Sequence, residues 1–371
     1  MNKFFSPMKD VDKFILIIVT LLGATSILML ESTVFNDGLV FTGSAARPVL
    51  VQLISYFIGF GVLVFVQHID YRFFIGLEKL LYVAGVLLLL TVYTPLGDVR
   101  YGSRNWIDLG FTTLQPSEFV KILFVLIMAG WLSEHREELS TFKGVLKAAL
   151  VGGPIILIVL KEDLGSALVY MVMWIFMVFF AGIDYKIFIK CALSACAAVP
   201  VIYTVLDDYQ KERIEAFLHP ENLSLSGNYQ VWQSKVAIGS GGLWGKGLFH
   251  GTQKSLDFIP VQQSDFIFSV VVEELGFFGG AVVIAFYGML LTRFTIIIRD
   301  CVDLYGALVV IGFTAMFLFQ TFENVAMTMG MMPVTGITLP FLSGGGTSVI
   351  ASMISVGVVL NIGANSKSIN F

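Results

Sequence analysis

Gln233–Gly276 reads QSKVAIGSGGLWGKGLFHGTQKSLDFIPVQQSDFIFSVVVEELG. A glycine-rich, Trp-bearing run meets an acid, Asp265, at the edge of an apolar segment, and Asp257, Glu273 and Glu274 crowd the same boundary. A carboxylate beside lipid is costly, so each of these acids needs a reason to be there. If an apolar helix began at Phe266, Glu273 and Glu274 would lie deep in lipid. The stretch therefore predicts a partly buried helical segment up to Gly276 and a membrane-spanning helix proper from Phe277. Asp265 then either caps a helix or points into a protein-lined cavity.

Outward from this stretch, the composition sets the class. Of 371 residues, 56% are hydrophobic and only 13% charged, and the mean hydropathy is +0.84. Soluble domains carry about 25% charge, so the chain reads as an all-α, polytopic membrane protein. A span needs about 20 apolar residues. Ten segments qualify: Phe14–Leu30, Val49–Val66, Leu77–Tyr93, Phe119–Leu132, Val145–Leu160, Leu164–Gly182, Ile187–Leu206, Phe277–Thr292, Leu304–Met327 and Ser348–Ile362. The fourth and last are short and should extend into neighbouring polar residues. The first is too long for a signal-peptide core and reads as a retained span. Residues 1–371 form a single membrane domain.

Orientation follows Lys and Arg. With the N-terminus inside, the inner segments hold Lys3, Lys9, Lys13, Arg72, Lys79, Arg136, Lys143, Lys147, Lys186, Lys190, Arg293, Arg299 and Lys367, against Arg47, Arg100, Arg104 and Lys161 in the short outer loops. Both termini are thus expected in the cytoplasm, with 207–265 as one long extracellular loop. The net charge of −4 is spread among loops and signals no nucleic-acid partner. The three cysteines and four histidines lack metal-ligand or disulfide spacing.

The polar motifs collect on the expected outer side. In QPSEFVK, Pro116 and Ser117 signal a helix start, and Glu118 and Lys121 share a face three residues apart. They form either an ion pair at a helix end or the charged lining of a cavity. Asp163, in KEDLGSAL, is either a helix cap or a second carboxylate on that cavity. The run Gly239–Gly247 departs from a Walker loop at Ser240 and Gly247, which rejects nucleotide binding. It reads as a flexible loop or a weak backbone-amide nest. PFLSGGGT, Pro340–Thr347, reads as a plain loop or as a re-entrant turn with close backbone approach. Glu323 and Asn324 place polarity inside the ninth span, for function or for pairing between helices.

Four motifs in order, RNWIDLG with QPSEFVK (Arg104–Lys121), KEDLGSAL (Lys161–Leu168), Gly239–Gly276 and LPFLSGGGTS (Leu339–Ser348), resemble the SEDS family (shape, elongation, division and sporulation) over nearly the whole chain. Gly251–Gln253 is similar to its RodA branch. The resemblance implies a peptidoglycan glycosyltransferase, working with a class B penicillin-binding protein and polymerising lipid II at the outer face of the cytoplasmic membrane. The family's essential acid falls on Asp265. Substrate and diphosphate contacts fall on Glu118, Lys121, Arg104, Asp163 and Ser343. Glu162 stands where relatives carry Pro, and Asn105 where many carry Arg. Asp265 is expected to act as general base, or to join Glu118 and Asp163 around Mg or Mn. The rival expectations are a transporter or flippase of lipid-linked precursor, and a non-catalytic scaffold for the penicillin-binding protein.

Overall fold

The computed structural model describes residues 11–34, 47–100, 103–108, 110, 113–225, 227–255, 258 and 261–366. All ten apolar segments are helical. They form α1 (Lys13–Val34), α2 (Arg47–Gln67), α3 (Glu78–Leu90), α4 (Pro116–Glu134), α5 (Phe142–Glu162), α6 (Leu164–Ala181) and α7 (Tyr185–Val205). After three further helices come α11 (Ile267–Asp300), α12 (Leu304–Thr328) and α13 (Gly346–Ser366). Eight of the ten are long and apolar enough to cross a membrane; α3 and α7 fall outside that set. As expected, the fourth and last segments extend into polar sequence, to Pro116 and Gly346.

The bundle is inverted relative to a soluble protein. Phe57 is 84% exposed, and Leu150, Leu157 and Phe277 project from the outside as well. A broad apolar belt of this kind fits lipid, not water. Inside, α4, α12 and α13 are largely enclosed by their neighbours. Small residues let backbones approach: Gly59 of α2 faces Met353 of α13, and Gly357 of α13 faces the Leu63 carbonyl of α2. Phe124 of α4 meets Tyr170 of α6 edge-on at 5.1 Å, and the Tyr170 hydroxyl donates to the Ser117 carbonyl at 2.7 Å.

Two features depart from the sequence expectation. Three short strands, β1 (Gly97–Arg100), β2 (Ser103–Asp108) and β3 (Thr113–Leu114), form a small antiparallel sheet, so the chain is mostly rather than wholly helical. Ile107 pairs with Gly97 on one side and Leu114 on the other, and its burial ties the sheet to the bundle end. Nor is 207–265 simply a loop. It contains α8 (Asp208–Leu218), α9 (Asn228–Gly241) and the short α10 (Thr252–Ser255). Helix α9 packs against α11 and α12, with the Ser234 hydroxyl donating to the Thr328 carbonyl at 2.7 Å.

The glycine-rich run is not free either. It is built into a break in α11. At Gly276 the backbone leaves the helical region, with φ 71° and ψ −169°, a conformation only glycine adopts readily. The freed amides and carbonyls are met by the 242–247 segment. Phe277 N–H donates to the Gly242 carbonyl at 2.8 Å, and Lys246 and Gly247 N–H donate to the Glu273 and Glu274 carbonyls at 3.0 Å. A Cβ at Gly276 would stand 2.3 Å from Gly245 N, and one at Gly245 would stand 2.0 Å from the Glu274 carbonyl oxygen. Backbone therefore lies directly on backbone. The expected division of this segment at Gly276 is what the structure contains.

The two buried acids before the break hold the same run. Glu273 Oε1 accepts from Lys246 Nζ at 2.7 Å, Thr252 N at 2.8 Å and Gln253 N at 3.0 Å. Glu274 accepts from the Ser32 hydroxyl of α1 at 2.6 Å and from Gly251 N at 3.3 Å. Buried carboxylates are tolerated when hydrogen-bonded; although Glu273 Oε2 has no partner among the described residues, the bonds of Glu273 Oε1 and of Glu274 tie 246–253 to the bundle.

Candidate active site

Asp265 sits in the turn just before α11 and does not cap it. The N-cap position is Phe266, and no side chain caps there. Asp265 is instead held by its backbone. Its N–H donates to the Val261 carbonyl at 3.2 Å, and its carbonyl accepts from Asn324 Nδ2 of α12 at 2.9 Å. The carboxylate lies partly buried against Gly336, where an added Cβ would be 3.5 Å from Asp265 Oδ2 and 3.9 Å from Arg213 Nη1. Gly336 has φ 75°, so the backbone conformation favours glycine here, while an added Cβ would meet these groups only at ordinary contact distance.

Around this acid opens a cleft of about 340 Å³. Asp163, Arg213, Asp265 and Thr335 line it, together with Gln115 and Trp106. Asp163 resolves both of its expected readings at once. It caps α6 through Ser166 N at 3.2 Å, and it also faces the cleft. Its Oδ2 further accepts from the Ser166 hydroxyl at 2.7 Å, Gln115 Nε2 at 3.4 Å and Asn105 Nδ2 at 3.5 Å. Asn105 thus contacts the second cleft acid. Burial pushes the Asp265 carboxyl above the ordinary aspartate range; Ser264 and Arg213 oppose the rise and Asp163 adds to it.

Glu118 and Lys121 are placed differently from the cavity-lining expectation. Lys121 Nζ lies 2.7 Å from Glu118 Oε1, with both side chains almost wholly buried in the first turns of α4. Neither lines the cleft. Their charges find each other because α4 enters the bundle at once, and an unpaired charge there would be far costlier. Ser117 does not cap the helix; Gln115 holds that position without a side-chain cap bond, and Pro116 begins the first turn.

Ser343 is also buried and lies behind the cleft lining rather than on it. Its hydroxyl donates to the Ser264 carbonyl at 2.5 Å and accepts from Leu339 N at 2.8 Å. Gly344 N–H donates to the Gln263 carbonyl at 2.7 Å. The PFLSGGGT segment therefore makes the expected close backbone approach, and what it approaches is the turn carrying Asp265. Arg104 is in β2, and its side chain lies outside the described residues, as does Asp257.

The proposed metal set of Glu118, Asp163 and Asp265 does not assemble, because Glu118 is engaged with Lys121 behind the wall. Among the described residues no three His, Cys, Asp or Glu side chains are grouped to hold a metal ion. Of the three acids named for the cation, only Asp163 and Asp265 line the cleft. The cleft residue that sequence reading passed over is Arg213. In DDYQKERIEAF its charge looks like one of many on a solvated helix face; only the fold turns it toward Asp265.

The architecture defines a polytopic helical membrane protein with a polar, carboxylate-bearing cleft at one end of the bundle. Residues 12–368 match the model of the FtsW/RodA/SpoVE cell cycle proteins, and the chain belongs to that family, the SEDS proteins. It is 36% identical to stage V sporulation protein E of Bacillus subtilis, over 97% of this chain and 99% of that one. It is 30% identical to the peptidoglycan glycosyltransferase MrdB of Escherichia coli K12, over 94% and 95%. It is 32% identical to the peptidoglycan glycosyltransferase RodA of Treponema pallidum, over 94% and 97%. Among solved structures, a chain reported under structural coordination of polymerization and crosslinking by a peptidoglycan synthase complex superposes with TM-score 0.80 and 28% identity, covering 96% of this chain and 99% of that one. The rod shape determining protein RodA of Thermus thermophilus superposes with TM-score 0.68 and 26% identity, covering 96% and 97%.

Proposed function

We propose that this SEDS-family chain, whose relatives are named peptidoglycan glycosyltransferases, joins lipid II disaccharide units into β-1,4 glycan at the outer face of the cytoplasmic membrane, with Asp265 as general base. The observation that carries the reading is the polar cleft at the bundle end that Asp265, Asp163 and Arg213 line together. The 4-hydroxyl of the acceptor sugar gives its proton to Asp265 as its oxygen bonds C1 of the donor. The bond from C1 to the diphosphate oxygen breaks, and its electron pair leaves on the lipid diphosphate. Direct displacement turns an α-linked donor into a β-linked product without a covalent enzyme intermediate. General-base help of this kind contributes about 10²–10⁴-fold.

Charge on the leaving diphosphate needs a positive partner. Arg213 is the described cation on the cleft wall beside Asp265. Arg104 joins it on the strength of its sequence position. Glu118 and Lys121 act from behind: their ion pair stiffens the first turns of α4, whose N-cap Gln115 contacts Asp163. Ser343 acts likewise, holding the turn that bears Asp265. The partner of this reading is a class B penicillin-binding transpeptidase, consistent with the synthase complex among the structural relatives.

The test is purified chain with its transpeptidase in sealed vesicles containing labelled lipid II. Glycan polymer is expected. Movement of labelled lipid across the bilayer with no polymer would overturn the enzyme reading in favour of transport.

A further inference from the structure

We propose that Glu323, a buried acid of α12 with no part in the chemistry above, is a positioning residue that sets the wall of the cleft against Asp265. The inference rests on the reading of Asp265 as the base.

Glu323 is wholly buried. Its Oε1 accepts a hydrogen bond from the hydroxyl of Thr335, and its Oε2 is buried without a hydrogen-bond partner among the described residues. An acid in a membrane-spanning helix with half its hydrogen-bonding capacity unused is a costly choice. A well-packed apolar residue would cost less there. Its single bond must therefore matter.

What that bond holds is specific. Thr335 lines the cleft, and the next residue is Gly336, the surface on which the Asp265 carboxylate and Arg213 both lie. Immediately after Glu323, Asn324 uses its amide to bridge the Asp265 carbonyl at 2.9 Å and the Ile337 carbonyl at 2.8 Å. One turn of α12 thus holds three points: the backbone of the base, and the backbone strip facing it at Thr335 and at Ile337. Asn324 sets the spacing of the two strips. Glu323 pins the end of the second strip that Asn324 does not reach. Val334 packs beside Phe266 and Thr335 against Gly165, but without Glu323 the Thr335 side chain loses its anchor to α12, and the distance from Gly336 to the carboxylate is held less tightly. An error of about 1 Å in the placement of a reacting group costs on the order of 10²-fold in rate.

Three variants test this in the reconstituted chain with its transpeptidase: Glu323→Gln, Glu323→Leu and Thr335→Val. Glu323→Gln keeps an acceptor for Thr335 and should hold kcat within about threefold, a small fraction of that misplacement cost. Glu323→Leu and Thr335→Val should each lower kcat by roughly tenfold or more, with KM within about twofold. The double variant should be no slower than either single one, because both remove the same bond. Thermal stability of Glu323→Leu should equal or exceed that of the parent, which a merely structural role would not allow. Wild-type kcat in Glu323→Leu, or additive losses in the double variant, would overturn the inference. If Glu323→Leu fails to fold, Thr335→Val and Glu323→Gln still decide it: the first must lose rate and the second must keep it. An active Asp265→Asn variant would instead remove the function reading on which the inference stands.

Discussion

A carboxylate can take a proton from a sugar hydroxyl only while it is ionised, so the protonation of Asp265 sets the acid limb of the pH–rate profile. Burial raises its pKa above the ordinary aspartate range, with Arg213 opposing and Asp163 reinforcing the rise. The acid limb of kcat/KM should therefore lie above that range. Asp163→Asn removes a neighbouring negative charge, which favours the ionised base, and should move the limb to lower pH. Arg213→Gln removes a positive charge and should move it to higher pH. Limbs measured in the parent and both variants check this; a limb that stays fixed in both would contradict the placement of these charges. Asp265 was legible in the sequence because an acid beside an apolar run is costly. Arg213 was not, since nothing in a charged amphipathic stretch says which of its charges the tertiary fold will turn inward. For Glu118 and Lys121 the sequence leaves an ion pair and a cavity lining both open, and the structure contains the buried ion pair.

At the scale of elements, α11 is divided by a break at Gly276. Gly276→Ala places a Cβ against Gly245 N in a backbone region hostile to side chains. It should abolish stable folding, read as loss of the monodisperse detergent-solubilised species. Gly288→Ala, in the same helix with nothing within 4 Å of the added methyl, should instead be neutral or stabilise by about 0.5–1 kcal/mol. The ion pair of α4 makes a second element-scale prediction. Lys121→Met strands the buried Glu118 and should cost about 3–5 kcal/mol, whereas Glu118→Leu with Lys121→Met should recover most of it. Thermal unfolding in detergent distinguishes them; equal losses in the single and double variants would contradict a pair that matters through its charges. The position of the break was readable from Glu273, Glu274 and Gly276. Its filling by 242–247 was not, because contacts between backbones leave no pattern of side chains. The sheet at 97–114 escaped for a related reason, since strands of two to six residues are too short to show a period.

For the whole molecule, the ten apolar segments and their order were legible because hydropathy over about 20 residues is a strong signal. The assembly of the cleft was not. It draws on the start of α6, on α8, and on the segments before α11 and before α13, which are far apart in sequence. The Lys and Arg bias of the loops predicts that this end of the bundle faces out of the cell. In a background lacking Cys191, Cys196 and Cys301, a cysteine at the exposed Leu223 should react with a membrane-impermeant thiol reagent on intact cells, and one at the exposed Glu137 should not. The reverse pattern would contradict the orientation.

The central claim is that Asp265 takes the proton of the attacking hydroxyl. Its most direct measurement is the rate of lipid II polymerisation by the chain with its transpeptidase, parent against Asp265→Asn, with folding of both verified by thermal unfolding. A folded Asp265→Asn protein slower by about 10²–10⁴-fold is the predicted result. A folded Asp265→Asn protein that polymerises at the parental rate would contradict it.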